Sequence, residues 1–180
     1  MIRRLHISEQ ARKELIDFFK MVVWFALFFF CLRTFVVEGF EIQGSSMEPT
    51  LEENERLFVL KFAYRFDNVE RGDVIVFLYP EDHSRRFIKR VIGLPGDTVE
   101  IRDGKVMVNG EKLREAYVNG DYFRPQEDIS KVTVPADCYY VLGDHRSVSS
   151  DSRSGWFVPR KNIVGKAVLR FWPVTRFGTI

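Results

Sequence analysis

The chain is poor in cysteine and carries little net charge. Its only two cysteines among 180 residues, Cys31 and Cys138, match no metal-binding spacing. Because Cys31 lies inside an apolar run, a disulfide would have to reach into that run, and two free thiols are predicted. A net charge of +2, with no block of lysine and arginine interleaved with aromatic residues, argues against nucleic-acid binding.

Long hydrophobic runs are absent as well, with one exception near the amino terminus. Every residue from Met21 to Leu32 is apolar, and the stretch from Phe18 to Val37 gives about twenty residues with few charges. Lys20 and Arg33 lie towards its ends, where long cations reach the lipid–water interface. We predict a single tilted transmembrane helix, and the basic residues before Met21 predict a cytoplasmic amino terminus.

Three other interpretations compete with this anchor in the cell membrane. A cleaved secretory signal would need a site with small residues, and Val36–Gly39 offers none. A buried core helix would be apolar along one stripe only, and an interfacial helix would keep a charged face. The anchor is therefore favoured, with the following domain on the outer side of the membrane.

After the apolar run the pattern changes to short β-type segments. Turn residues arrive about every ten positions, and no long helical period follows. We predict an all-β domain, barrel-like or sandwich-like, over residues 39–180, preceded by a short cytoplasmic segment and the anchor over residues 1–38. A small insertion lobe is expected around residues 98–130, beginning with a hairpin at Asp103-Gly104. Strands are predicted at 56–60, 73–79, 86–92, 98–102, 105–108, 132–134, 139–142 and 163–172.

Residues 43–51, Gln-Gly-Ser-Ser-Met-Glu-Pro-Thr-Leu, have the layout of a nucleophile in a bend. Gly44 permits the close approach of another chain, and Pro49 fixes its own φ and lacks an N–H. A hydroxyl at Ser46 beside backbone N–H groups has the arrangement of a nucleophile next to an oxyanion hole. An ordinary serine-rich turn explains the same residues, so this stretch leaves both interpretations open.

A serine nucleophile needs a base, and Lys89 is one candidate. On a strand it shares a face with Phe87 and Val91, and apolar neighbours that desolvate an ammonium lower its pKa by up to roughly 3–5 units at full burial. A lysine shifted that far accepts a serine proton near neutral pH. The competing interpretation is an ordinary strand cation with its head in water.

Histidine is the other candidate base. His145 could form a Ser–His–Asp triad with Asp144 or Asp151, although closeness in sequence does not establish geometry. His6 is predicted on the cytoplasmic side, and His83 in a solvated loop. The histidine alternative therefore rests on His145.

The loop of residues 143–153 is dense in hydroxyls and in opposite charges. Asp144 and Asp151 are predicted to pair with Arg146 and Arg153. A hydroxyl from this loop could hold a neutral lysine in place. A hydrated, turn-rich loop is the competing interpretation.

Four stretches together resemble the type I signal peptidases, the membrane-bound Ser–Lys proteases of family S26 that remove signal peptides from exported proteins. They are GSSMEPTL at 44–51, GDVIVF at 72–77, KRVIGLPGD at 89–97, and residues 143–159. With the amino-terminal anchor they follow the family's order and cover most of the chain. The resemblance implies cleavage of preproteins after small residues, at the cell membrane near the secretion machinery, with no metal or cofactor.

By this resemblance Ser46 is the nucleophile and Lys89 the general base. The backbone N–H of Ser46 forms part of the oxyanion hole, and Gly44 stands where some relatives carry a hydroxyl as second donor. Ser149 matches the hydroxyl that orients the lysine. Asp151 and Arg153 match the structural pair of residues that holds the site in this family.

Two departures from the family pattern are visible in the 143–153 loop. His145 stands where an Asn is common, and Ser147-Val148 replaces a more polar Asp-Asn pair. Neither position is the nucleophile, the base or its hydroxyl partner, so we expect both to be tolerated.

The substrate is expected to add as an extended strand beside residues 40–45 and 86–88. Shallow pockets for small side chains before the cut are predicted from five apolar residues: Phe40, Ile42, Met47, Leu51 and Ile88. Alternatives stay open: a pilin-processing or repressor-type Ser–Lys peptidase, a catalytically inactive membrane-anchored β module that binds peptides, or a membrane scaffold.

Overall fold

The computed structural model describes residues 9–31, 37–118 and 128–180. The chain divides into two units, Met1–Val37 and Glu38–Ile180. Part of the predicted membrane span, residues 32–36, and part of the predicted insertion lobe, residues 119–127, lie outside the described residues.

The first unit contains helix α1, Glu9–Cys31. Glu9 in the first turn suits the partial positive charge of a helix amino terminus, and Lys20 pairs with Asp17 at 3.1 Å. The side chains of residues 9–30 are exposed. Within the described residues, no helix combines the length and the apolar character that a membrane crossing requires.

From Val37 onwards the structure is built from antiparallel strands, which confirms the predicted antiparallel β domain. The larger sheet has the order β1-β2-β11-β3-β4-β9-β10 with β12 beside β11, and the smaller sheet has the order β7-β6-β5-β8. The strands are β1 Val37–Glu41, β2 Arg56–Leu60, β3 Val74–Tyr79, β4 Asp82–Gly93, β5 Thr98–Arg102, β6 Lys105–Val108, β7 Glu111–Lys112, β8 Ile129–Thr133, β9 Cys138–Leu142, β10 Val158–Pro159, β11 Ile163–Trp172 and β12 Gly178–Thr179.

Helical segments in this part of the chain are short. Within residues 37–118 and 128–180 they are α2, Ala63–Phe66, and three 3₁₀ turns at Ser152–Ser154, Arg160–Asn162 and Val174–Arg176.

Strand β3 lies between two hydrophobic clusters and is buried on both faces. Val74 and Val76 pack into one cluster, whereas Ile75 and Phe77 pack into the other. This alternation follows from the two-residue period of a strand, and it explains why the sequence of β3 is apolar throughout. A third cluster packs the smaller sheet against Ile92 of β4 and against Tyr140 and Leu142 of β9.

Two local predictions, one for a turn and one for the start of a strand, can be compared with the structure. Asp103 and Gly104 adopt φ values of 49° and 70° and join β5 to β6 as a two-residue hairpin, which was predicted. Strand β4 instead begins at Asp82, four residues before the predicted start, so His83 lies on a strand and not in a loop. The early part of β4 is exposed and polar, and it therefore lacks the apolar alternation that marks a strand.

Candidate active site

Ser46 lies in a turn that follows β1, and the residues after it hold this turn against the core. The backbone N–H of Leu51 donates to the carbonyl of Met47 at 2.9 Å, and both side chains are buried in the core, 0% and 1% exposed. The Glu48 N–H donates to the carbonyl of Ser45 at 3.1 Å. The turn thus directs two apolar side chains inwards and leaves Ser46 half-buried.

Lys89 meets Ser46 directly. Its Nζ lies 2.6 Å from Ser46 Oγ and 2.9 Å from the carbonyl oxygen of Ile88, and the residue is only 4% exposed. It stands on β4 opposite Ile75, with Nζ 5.4 Å from the centroid of the Phe87 ring. Lys89 therefore lies among apolar side chains. One of them is Phe87, on the same face of the strand, as predicted.

Burial lowers the pKa of the Lys89 ammonium from 10.5 to about 8. The cause is loss of water around the charge, which the carboxylates of Asp151 and Asp144 oppose only in part. A neutral Nζ keeps a lone pair for the Ser46 hydroxyl proton while one N–H donates to the Ile88 carbonyl. The arrangement is therefore chemically able to deprotonate a serine near neutral pH.

The Ser46–Lys89 contact lies in a cleft of about 690 Å³ between two strand edges. Strand β9 pairs with β4 only from Arg90 to Gly93, so among the described strands the edge of residues 82–89 away from β3 is unpaired. The opposite wall is the segment 40–46, and β1 is the end strand of its sheet. Both walls therefore offer backbone groups to an extended peptide.

In the loop of residues 143–153, one of the two predicted ion pairs, Asp144 with Arg146, is not formed. Asp144 is fully buried and accepts hydrogen bonds from Arg90 at 2.6 and 2.9 Å and from the Thr50 hydroxyl at 2.6 Å. Arg146, predicted as its partner, instead binds Glu115 at 2.5 and 3.2 Å. Buried carboxylates need such charged donors, and here the donor comes from β4 and not from the same loop.

Asp151 and Arg153 form the predicted pair. Arg153 donates from Nε and from one terminal nitrogen to the two Asp151 oxygens, at 2.7 and 2.9 Å. Asp151 also accepts the N–H of Gly143 at 3.0 Å and is 1% exposed. The pair therefore ties the two ends of the loop together.

Ser149 lies beside the nucleophile's turn but does not bind the lysine in this structure. Its hydroxyl is buried, and it makes no hydrogen bond within the described part of the chain, so the predicted contact with Lys89 is not formed. A Cβ added at Gly143 would collide with the Ser149 side chain and with the Ser46 carbonyl oxygen. Glycine at 143 therefore lets the loop approach Ser46.

His145 also lies close to the turn. Its ring Nδ1 is 3.1 Å from the carbonyl oxygen of Ser45, and both Asp144 and Asp151 are bound to arginines. Because the Ser46 hydroxyl meets Lys89, the geometry favours lysine over histidine as the base.

Comparison with known proteins agrees with this arrangement. The family described as signal peptidase, peptidase S26, matches residues 15–172. The chain belongs to this family. A signal peptidase I from Leptolyngbya laminosa is 46% identical over 157 residues, covering 83% of this chain and 75% of that one. Signal peptidase I P from Bacillus subtilis subsp. natto is 37% identical over 94% of this chain and 95% of its own length.

Solved structures also match this chain, and one of them is a signal peptidase I. A crystal structure of a signal peptidase I from Enterococcus faecalis is 35% identical and gives a TM-score of 0.48, covering 56% of this chain and 97% of that one. The family predicted from the four motifs is confirmed by the family match and the two curated relatives.

The residues predicted to line substrate pockets divide into two groups. Phe40, Ile42 and Ile88 line the cleft. Met47 and Leu51 do not, because the turn directs both into the hydrophobic core.

Sequence reasoning missed two other apolar residues of the cleft, Val76 and Val148. The buried Val76 stands opposite Ile88 in the β3–β4 register, and that pairing could be found from a correct alignment of the hairpin. No local signal marks Val148.

Gly44 adopts φ of +86°, and its N–H donates to Glu53 Oε1 at 3.3 Å. A positive φ favours glycine, and this backbone N–H is already bound. The side-chain donor of some relatives is thus missing at this position.

Proposed function

We propose that this chain is a membrane-anchored serine endopeptidase that removes amino-terminal signal peptides from exported preproteins, cutting after small residues. The observation that carries the proposal is the 2.6 Å contact between Ser46 Oγ and the buried Nζ of Lys89 inside an open cleft. The names of its relatives, which are signal peptidases I, support the substrate class.

In the proposed mechanism neutral Lys89 takes the proton of Ser46 as Oγ attacks the scissile carbonyl carbon. The Ser46 N–H donates to the oxyanion that forms. Lys89 then protonates the departing amine and leaves an acyl ester on Ser46. Water, deprotonated in turn by Lys89, hydrolyses this ester and restores the free serine.

The substrate is proposed to bind as an added strand between the two walls of the cleft. The unpaired edge of residues 82–89 and the segment 40–46 supply backbone donors and acceptors on either side. We expect small side chains before the cut to pack against Ile42, Val76 and Ile88, which line the cleft. Arg86, which lines the cleft, pairs with Glu38 of β1 at 3.0 Å.

We also propose that α1 anchors the enzyme in the lipid bilayer, amino terminus in the cytoplasm and β domain on the other side. Its residues from Met21 to Phe30 are apolar and exposed on all sides, which is unfavourable in water. The full chain is expected to stay with membranes during alkaline carbonate extraction, whereas a chain beginning at Glu38 is released. Release of the full chain would contradict the anchor.

The proposal is tested with detergent-solubilised full chain and a model preprotein whose signal ends in an Ala-x-Ala site. We expect one cut after that site, read by sequencing the new amino terminus of the product. The Ser46→Ala chain, purified in parallel, controls for contaminating proteases. Absence of cleavage by the wild-type chain would refute the proposal and would favour a peptide-binding module.

The rate of cleavage is expected to rise with pH up to about 8. Only neutral Lys89 accepts the serine proton, and with a pKa of about 8 roughly 1% of the chain is neutral at pH 6 and roughly half at pH 8. The value of kcat/KM should therefore increase close to tenfold per pH unit below pH 7 and level off above pH 8. A profile that is flat down to about pH 5 would exclude a lysine base.

A further inference from the structure

His145 contacts the peptide groups on both sides of Ser46. Its backbone N–H donates to the carbonyl oxygen of Ser46 at 3.1 Å, and its ring Nδ1 lies 3.1 Å from the carbonyl oxygen of Ser45. Because a carbonyl oxygen only accepts, Nδ1 carries the proton in this hydrogen bond. The Oε2 atom of Glu48 lies 3.6 Å from the same nitrogen, beyond hydrogen-bond distance.

The position of His145 is fixed by its neighbours in the chain. Asp144, on one side, is fully buried and held by Arg90; Arg146, on the other, is 3% exposed and donates to the Gly143 carbonyl at 2.9 Å. The imidazole itself is 15% exposed. A side chain mounted between two buried ion pairs is held in place before substrate arrives.

The carbonyl that His145 holds belongs to the same peptide group as the N–H of Ser46. Because a peptide group is planar, fixing the direction of the Ser45 carbonyl fixes the direction of the Ser46 N–H. A hydrogen bond to the carbonyl oxygen also polarises the amide and strengthens its N–H as a donor. That N–H is the oxyanion donor of the proposed mechanism, on which this inference rests.

We propose that His145 is a positioning residue for the cleavage reaction. Its Nδ1–H holds the Ser45–Ser46 peptide so that the Ser46 N–H points to the oxyanion formed when the scissile carbonyl is attacked. His145 acts through this peptide, and Lys89 remains the group that takes the serine proton. An asparagine at position 145 would also place a side-chain N–H near the Ser45 carbonyl oxygen.

Three variants separate the donor from the packing of the ring. In His145→Asn the side-chain nitrogen can occupy the place of Nδ1, in His145→Gln it is one bond further away, and His145→Leu has no donor. We expect the Asn variant to keep kcat within about threefold, and the Gln and Leu variants to lose about 10- to 100-fold in kcat with KM within about twofold. The control is Lys131→Asn, at an exposed position of β8 in the smaller sheet and outside the cleft, which should change neither constant.

Preprotein cleavage by the wild-type chain, measured in the same assay, separates the two proposals. If the wild type is inactive, the proposed function fails. If the wild type is active and the Gln variant cleaves as fast as the Asn variant, the positioning role of His145 is overturned while the function stands. A Leu variant with kcat within about twofold of the wild type would also overturn it, since the loss of a useful donor costs more. Should the Leu variant unfold, the Asn and Gln pair still decides.

Discussion

Replacing Ser46 with alanine, or Lys89 with methionine, is expected to abolish cleavage of a preprotein while the β domain stays folded. The two groups act as a unit, so each single change should lower kcat by about 10⁴- to 10⁶-fold, and the double change should cost little more. Methionine retains the length and apolar stem of lysine without its amine. The measurement is single-turnover cleavage, with circular dichroism as the check on folding.

The Lys89→Met chain should also be more stable than the wild type. A pKa that falls from 10.5 to about 8 on folding corresponds to a cost of roughly 3 kcal/mol at pH 7, at about 1.4 kcal/mol per pH unit. Between about pH 8 and 10.5 the unfolded chain binds a proton that the folded chain has lost, so wild-type stability rises with pH in that window. The Met variant should lack this rise.

Two results would contradict this account of Lys89. Full activity of the Met variant would remove lysine as the base and return attention to His145. An unfolding free energy unchanged by the substitution would show that the amine is well solvated in the folded state. The activity result tests whether Lys89 is the base, and the stability result tests whether burial lowers its pKa. Either one can fail without the other.

The pairing of Ser46 with Lys89 could be anticipated because both residues lie in stretches that resemble the family's motifs, whereas the local patterns alone left both interpretations open. Strand alternation placed Lys89 beside Phe87, and the motif order supplied the serine. The direction of Met47 and Leu51 could not be read in the same way. A turn has no fixed period, and the packing of both side chains in the core is visible only in the structure.

Ion-pair partners were the weakest part of the sequence prediction. Closeness in sequence suggested Asp144 with Arg146, but the actual partners lie on other elements: Arg90 on β4 for Asp144, and Glu115 for Arg146. Opposite charges are common on any chain, and which of them meet depends on long-range packing. Asp151 does meet Arg153, because Asp151 caps the 3₁₀ turn that contains Arg153; the same spacing between Asp144 and Arg146 gives no such pair.

Removing the carboxylate of Asp144 is expected to be the most destabilising single change in the site. Arg90 is only 9% exposed, and with Asp144→Ala its charge would keep neutral partners: the Gly72 carbonyl at 2.9 Å, the Thr50 hydroxyl at 3.4 Å and the face of the Tyr117 ring at 4.0 Å. An uncompensated buried charge of this kind costs about 3–5 kcal/mol. Activity should fall as well, because Asp144 holds both the 143–153 loop and Thr50 in the turn of Ser46. Urea unfolding gives the free energy, and cleavage is measured on the same preparation.

A double variant distinguishes the loss of a partner from the loss of an intrinsically stabilising pair. Arg90→Met with Asp144→Leu removes both buried charges, and it should regain most of the stability lost in Asp144→Ala, since desolvating two ions offsets much of their attraction. Arg102→Ala, which breaks an exposed pair with Glu100, is the control and should cost less than about 1 kcal/mol. If Asp144→Ala costs no more than this control, the buried pair does not hold the loop. If the double variant is as unstable as the single one, the attraction between the two ions outweighs the cost of desolvating them.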